Sequence, residues 1–130
     1  MTFPPLSAEI ERAATAIVEA AYKVHKALGP GLLESVYETC LAYEIKRAGF
    51  PVARQVRVPI QYDGVKLDDD LRLDLLVAET IVVEVKAKES LLPVYPAQLL
   101  TYLRLAAKPL GFLINFNVPV IKQGITRMRL

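Results

Sequence analysis

The chain has 130 residues, of which 53% are hydrophobic and 23% charged, with a formal net charge of +2. Such a composition describes one globular domain spanning residues 1–130 and excludes a disordered or fibrous chain. No apolar run reaches the roughly 18 residues of a membrane span, so no membrane partner is expected. The opening Met1-Thr2-Phe3-Pro4-Pro5 lacks the basic and apolar pattern of a leader. Cys40 is the only cysteine and His25 the only histidine. An intrachain disulfide is therefore excluded, a reducing cytoplasm fits, and zinc is disfavoured; any metal would be a hard ion on oxygen ligands. The small net charge does not announce a nucleic-acid binder. Local basic clusters at Lys46 and Arg47, at Arg54 and Arg57, and at Lys122, Arg127 and Arg129 are read evenly as phosphate contacts or solvated charges.

Ser7 is placed as a helix N-cap, with Glu9 and Glu11 in the first turn. Ile10, Ala13, Ala14, Ile17, Val18, Ala21, Val24 and Leu28 follow at helical spacing, and Gly29-Pro30 ends the run. A second helix is predicted from Leu32 to Ala48, with Val36, Tyr37, Cys40, Leu41, Glu44 and Ile45 around one side. The period then becomes two. Gln55 to Tyr62 reads as a strand, Asp63-Gly64 as a tight turn, and the next strand is expected to pause at Asp68-Asp69-Asp70 before Leu71 to Val77. Ala78-Glu79-Thr80 turns into a strand over 81–87. A third helix is predicted from Pro96 to Ala107, then a buried strand from Leu110 to Phe116 and a last strand from Ile125 to Leu130. A sheet flanked by helices, α/β in class with about four to five strands, is the natural architecture.

The apolar runs at 71–77 and 81–87 are each interrupted by charge. A buried carboxylate costs several kcal/mol unless it is paired, protonated or bound to a cation. With a three-residue loop at 78–80, Val77 faces Ile81, Leu75 faces Val83, and Asp74 faces Glu84 at about 5 Å between Cβ atoms. Arg72 would then oppose Lys86, and Leu73, Leu75, Val77, Ile81, Val83 and Val85 would form one apolar face. A one-residue slip would mix the two sets, so the pattern itself favours this register. Two carboxylates at that distance call for something positive between them, and Mg²⁺ or Mn²⁺ suits. Lys86 on the same face can orient or deprotonate a water. The competing reading is an ion-pair network of Arg72, Asp74, Glu84 and Lys86 that only stabilises the hairpin.

Asp74 followed by Glu84-Val85-Lys86 resembles the signature of the PD-(D/E)xK nuclease superfamily, with Leu73 where the nominal proline stands. Gly31-Leu32-Leu33-Glu34-Ser35-Val36-Tyr37 is similar to the motif that names the GxxExxY protein family within that superfamily. Gln98-Leu99-Leu100-Thr101-Tyr102 resembles the Gln-x-x-x-Tyr element of RecB-like nucleases, and Leu113-Ile114-Asn115-Phe116 the strand after it. The resemblance runs from about Ile10 to Met128.

That resemblance implies a restriction-endonuclease-like core and metal-dependent hydrolysis of nucleic-acid phosphodiesters, with DNA ahead of RNA as substrate. Its alternative is an inactive nuclease fold that binds nucleic acid or protein. Asp74 and Glu84 would be the main ligands of Mg²⁺ or Mn²⁺, and Glu34 an accessory acid acting directly or through water. Lys86 would be the catalytic amine, and Gln98 would support the site. Tyr102 lies one helical turn on, with plain packing as its competing role. Gly31 is expected to leave room for close approach, beside the motif's Tyr37. His25 is read as a structural residue capping carbonyls, Cys40 as a small core residue, and Asp68 to Asp70 as a solvated turn. With so small a core, specificity is expected from substrate shape, a homodimer or a partner protein.

Overall fold

The computed structural model describes residues 5–130, so Met1 to Pro4 of the segment read for a leader lie outside the described residues. The elements in order are α1 (Ala8–Leu28), α2 (Glu34–Arg47), β1 (Val52–Tyr62), β2 (Val65–Val77), β3 (Ile81–Lys86), α3 (Val94–Ala106), β4 (Leu110–Asn115) and β5 (Ile125–Arg129). One five-stranded sheet has the order β1-β2-β3-β4-β5. Only the β3–β4 pair is parallel, joined through α3, and the other pairs are antiparallel. The expected mixed sheet flanked by helices is therefore borne out.

Local chemistry explains most boundaries. Ser7 accepts from Ile10 N at 3.2 Å and caps α1, and Gly29 closes that helix with a left-handed φ of 70°. Asp63 and Gly64 both have positive φ and join β1 to β2, while Ala78 and Glu79 do the same between β2 and β3. Three differences from the sequence reading stand out. The third helix starts at Val94 behind an N-cap at Pro93, so Pro96 occupies its first turn, where no intrahelical N–H is needed. The acidic run Asp68 to Asp70 forms no turn. It lies exposed within β2, where the pairing shifts between Pro59 and Gln61. A 3₁₀ turn over Ile121–Gly124 leads into β5.

Each face of the sheet has its own core. On one side α1 and α2 bury Ala13, Ile17, Ala21, Tyr37, Leu41 and Ile45 against Leu75, Val77, Ile81, Val83, Val85, Phe112 and Ile114. On the other side α3 packs Leu99 and Leu103 against Leu71, Leu73, Leu76, Val82 and Leu113. Leu73 therefore belongs to the α3 side and Leu75 to the opposite side. The single apolar face expected to include both is interrupted between them. Likewise the buried stripe of α2 runs through Tyr37, Glu38, Leu41, Ala42 and Ile45, leaving Val36 exposed. No helix among the described residues is long and apolar enough to cross a membrane.

Candidate active site

The exchange of faces in β2 occurs at Asp74. Pairing between β2 and β3 follows the expected register, Val77 with Ile81 and Leu75 with Val83, and stops there. Beyond it the strands part, and carboxylates take over the backbone groups. Glu84 Oε2 accepts from Asp74 N at 2.8 Å, and Asp74 Oδ2 accepts from Val85 N at 2.9 Å. The two N–H donors that the parting strands release are thereby satisfied. Arg72 is correspondingly not opposite Lys86; it pairs with Arg57 across the β1–β2 ladder.

Glu84 is 5% exposed and Asp74 half-buried. Burial, and after it the charge of Asp74, push the Glu84 carboxyl up to about 8, against the opposing pull of the Asp74 N–H and the Lys86 charge. Asp74 is also raised, chiefly by burial, although the Val85 N–H bond lowers it. Such a pair is under-neutralised by the protein. No salt bridge among the described residues joins either acid to Arg72 or Lys86, so the stabilising ion-pair network is not formed.

Lys86 follows Glu84 by two positions in β3, hence on the same face, and its Nζ lies 4.7 Å from the ring centroid of Tyr95. That cation–π contact holds the amine without consuming its charge. Tyr102 is half-buried in α3 at the edge of the core. Burial first, and then the charges of Glu84 and Asp74, raise its pKa, so its hydroxyl belongs to this neighbourhood as well as to the packing. The side chain of Gln98, half-buried one turn earlier, makes no hydrogen bond to another described residue.

Glu34 opens α2 and its Oε1 accepts from Ala87 N at a long 3.4 Å, just beyond Lys86. A cleft of about 400 Å³ lies here, lined by Leu32, Leu33, Glu34, Ser35, Ala87 and Lys88. Among the described residues no group of three acids, histidines or cysteines is placed to hold a metal ion.

The rest of the motif is architectural. The Tyr37 hydroxyl donates to Gly29 O at 2.6 Å and accepts from Leu32 N at 3.1 Å. Its ring stacks on Phe116 at 4.6 Å between centroids. Tyr37 thus pins the loop that delivers Glu34. Gly31 serves that loop through its φ of 102°, and a Cβ there would meet nothing within 4 Å. That conformation is one glycine adopts freely. His25 Nε2 bonds Val118 O at 2.8 Å, a structural contact made across the fold and not at its own helix end. Cys40 is half-buried against the core.

Three residues enter the site that the sequence reading passed over: Tyr95, Glu38 and Gln55. Glu38, one turn after Glu34, is 8% exposed and its charge raises both Asp74 and Glu84. It is held by Arg54 at 2.9 Å and by Gln55 at 2.7 Å. Its spacing of four from Glu34 was the available signal. Arg54 is thereby engaged internally, as are Arg47 with Glu44, Arg57 with Asp70 and Arg127 with Glu11. The basic clusters are therefore largely paired within the chain.

Asp74 and Glu84 fit a hard divalent ion: two carboxylates, each turned into the gap by one backbone N–H, suit an ion that keeps waters and substrate phosphate as its other ligands. No curated protein and no solved structure shows significant similarity to the chain. The family model described as PD-(D/E)XK nuclease superfamily matches residues 11–128, from α1 into β5, a range that includes Asp74, Glu84, Val85 and Lys86. By that match the chain belongs to the PD-(D/E)XK nuclease superfamily.

Proposed function

We propose that the protein is a divalent-metal-dependent nuclease acting on nucleic-acid backbone phosphates, DNA ahead of RNA, with its centre at Asp74, Glu84 and Lys86. The observation that carries this reading is the interlocked pair of buried carboxylates beside a free-standing amine, at the point where β2 and β3 part. Superfamily membership supports it, since these nucleases typically use divalent metals. The finer placement in the GxxExxY group and near the RecB-like enzymes rests on Gly31, Glu34 and Tyr37 and on Gln98 and Tyr102. The single half-buried Cys40 supports a reducing cytoplasm as its setting.

Asp74 and Glu84 would hold Mg²⁺ or Mn²⁺. The bound ion would neutralise phosphate charge and lower the pKa of water. Glu84, uncharged for much of its time at neutral pH when alone, gives up its proton to accept that role. Lys86, steadied by Tyr95, steers water toward phosphorus and offsets charge building on the phosphoryl oxygens. Glu34 would assist the ion directly or through water from the rim of the cleft it shares with Lys88. Gln98 and Tyr102 contact phosphate or water from α3. A dimer or a partner protein supplies specificity.

The test is a panel of labelled single-stranded, duplex, branched and RNA substrates with Mn²⁺. Cleavage of at least one by wild type, and its loss in folded Asp74→Ala and Lys86→Ala, is the expected result. Equal cleavage by all three proteins would mark a contaminant and reject the assignment.

A further inference from the structure

Asn115 is only 3% exposed, a depth at which an amide has to find its hydrogen bonds inside the protein. It ends β4, and its partner in the parallel ladder is Lys86, the last residue of β3. Val82 and Leu113 pack on the α3 side of the sheet. Side chains alternate along a strand, so Glu84, Lys86 and Asn115 fall on that same side.

The ladder stops at this pair, but the bonding continues. Phe116 N donates to Lys86 O at 2.9 Å. Asn115 Oδ1 then accepts from Lys88 N at 3.0 Å, and Asn115 Nδ2 donates to Lys88 O at 2.9 Å. One side-chain amide thereby supplies the rung that a backbone would supply in a longer strand. Oδ1 also accepts from Asn117 N at 3.2 Å, so two N–H groups meet one end of the amide and a carbonyl meets the other. That set of partners fixes which end is oxygen. Between the two anchors, Ala87 N donates to Glu34 Oε1. Phe116 in turn stacks on Tyr37, whose hydroxyl pins the loop before Glu34. The segment carrying Lys86 and the loop carrying Glu34 are therefore both fastened to Asn115 and Phe116.

Beyond this point the chain has little else to hold it. Lys88 to Ser90 are exposed and form neither helix nor strand, the condition under which a strand end frays. We propose that Asn115 is a positioning residue for the candidate centre: by bonding both backbone groups of Lys88 it holds the end of β3, and so keeps the Lys86 amine in place beside Glu84. The inference rests on the nuclease reading above and deepens it.

The test is a double-mutant cycle between Asn115→Ala and Lys86→Met. Melting temperature, Mn²⁺ affinity by calorimetry, and kcat and KM on a cleaved oligonucleotide are read together. Asn115→Ala is expected to fold with a lower melting temperature and to bind Mn²⁺ as wild type does, since Asp74 and Glu84 keep their mutual bonds. It should lose about 10–100-fold in kcat with little change in KM. In the Lys86→Met background the same substitution should change kcat by no more than about twofold, because the group it positions is gone. Asn115→Asp keeps the shape and both accepted bonds, loses the one given to Lys88 O, and should show the same coupling. A folded Asn115→Ala with wild-type kcat, or losses that simply add in the double variant, overturns the inference while leaving the nuclease reading intact. Unfolding of both Asn115 variants also overturns it, since the residue would then be structural. Wild type that neither binds Mn²⁺ nor cleaves overturns the nuclease reading and this inference with it.

Discussion

Asp74 and Glu84 are tied to each other through the backbone: the Asp74 N–H donates to the Glu84 carboxylate at 2.8 Å, and the residue after Glu84 returns a bond of 2.9 Å to the Asp74 carboxylate. Each acid thus holds the other's strand in place at the point where the ladder ends. The arrangement fixes both carboxylates and leaves their charges unpaired.

The pH dependence of stability follows from Glu84. Its folded pKa, pushed up to about 8 by burial and by Asp74, exceeds the ordinary value of 4.5. The folded protein therefore binds a proton more tightly than the unfolded chain does. This contribution is fully present below about 4.5 and is lost as the pH rises toward 8. Metal-free protein in chelator should melt at a lower temperature at pH 8 than at pH 6. Glu84→Gln should flatten that slope and stabilise the fold at pH 8 by about 1–3 kcal/mol. A thermal scan across pH checks both.

On the proposed metal-binding role, Mn²⁺ would compete with that proton. Affinity for Mn²⁺ should rise between pH 6 and 8, and binding should release protons, measurable by calorimetry in buffers of different ionisation enthalpy. A flat profile would remove Glu84 from the ligand set.

Lys86 and Tyr95 make a separable prediction. Lys86→Met should lower kcat by about 10²–10⁴-fold while leaving Mn²⁺ binding largely intact. Tyr95→Leu removes the ring 4.7 Å from Nζ and keeps the amine. It should lower kcat about tenfold or less, through looser placement of Lys86. Single-turnover cleavage distinguishes the two.

Much of this was readable from residue types. The alternation over 71–77 and 81–87 specified the strand register through Val77 with Ile81 and Leu75 with Val83, because a slip would bury charge. Ser7, Gly29 and the Asp63-Gly64 pair announced their own boundaries. The exchange of faces between Leu73 and Leu75 was not legible: on the neighbouring strand it coincides with a left-handed Gln55, a residue that carries no turn signal. Glu38 was hidden for a related reason. A charged residue on a helix reads as solvent-facing, and only the packing of α2 shows that the buried stripe includes it.

Tyr37 ties the loop before Glu34 to the core, so its hydroxyl is a stability prediction. Tyr37→Phe keeps the stack on Phe116 but leaves Gly29 O and Leu32 N without their partner. A loss of about 1–3 kcal/mol is expected in urea unfolding. Gly31→Ala, which forces a side chain onto a φ of 102°, should cost a similar amount with no steric clash to relieve.

Mn²⁺ titration of chelator-stripped protein at pH 8, wild type against Asp74→Asn, bears most directly on the centre at Asp74 and Glu84. Saturable binding to wild type, weakened at least about tenfold in a folded Asp74→Asn, is the predicted result. Equal affinity in the two proteins, or no binding to either, would contradict a metal centre at the parting of β2 and β3.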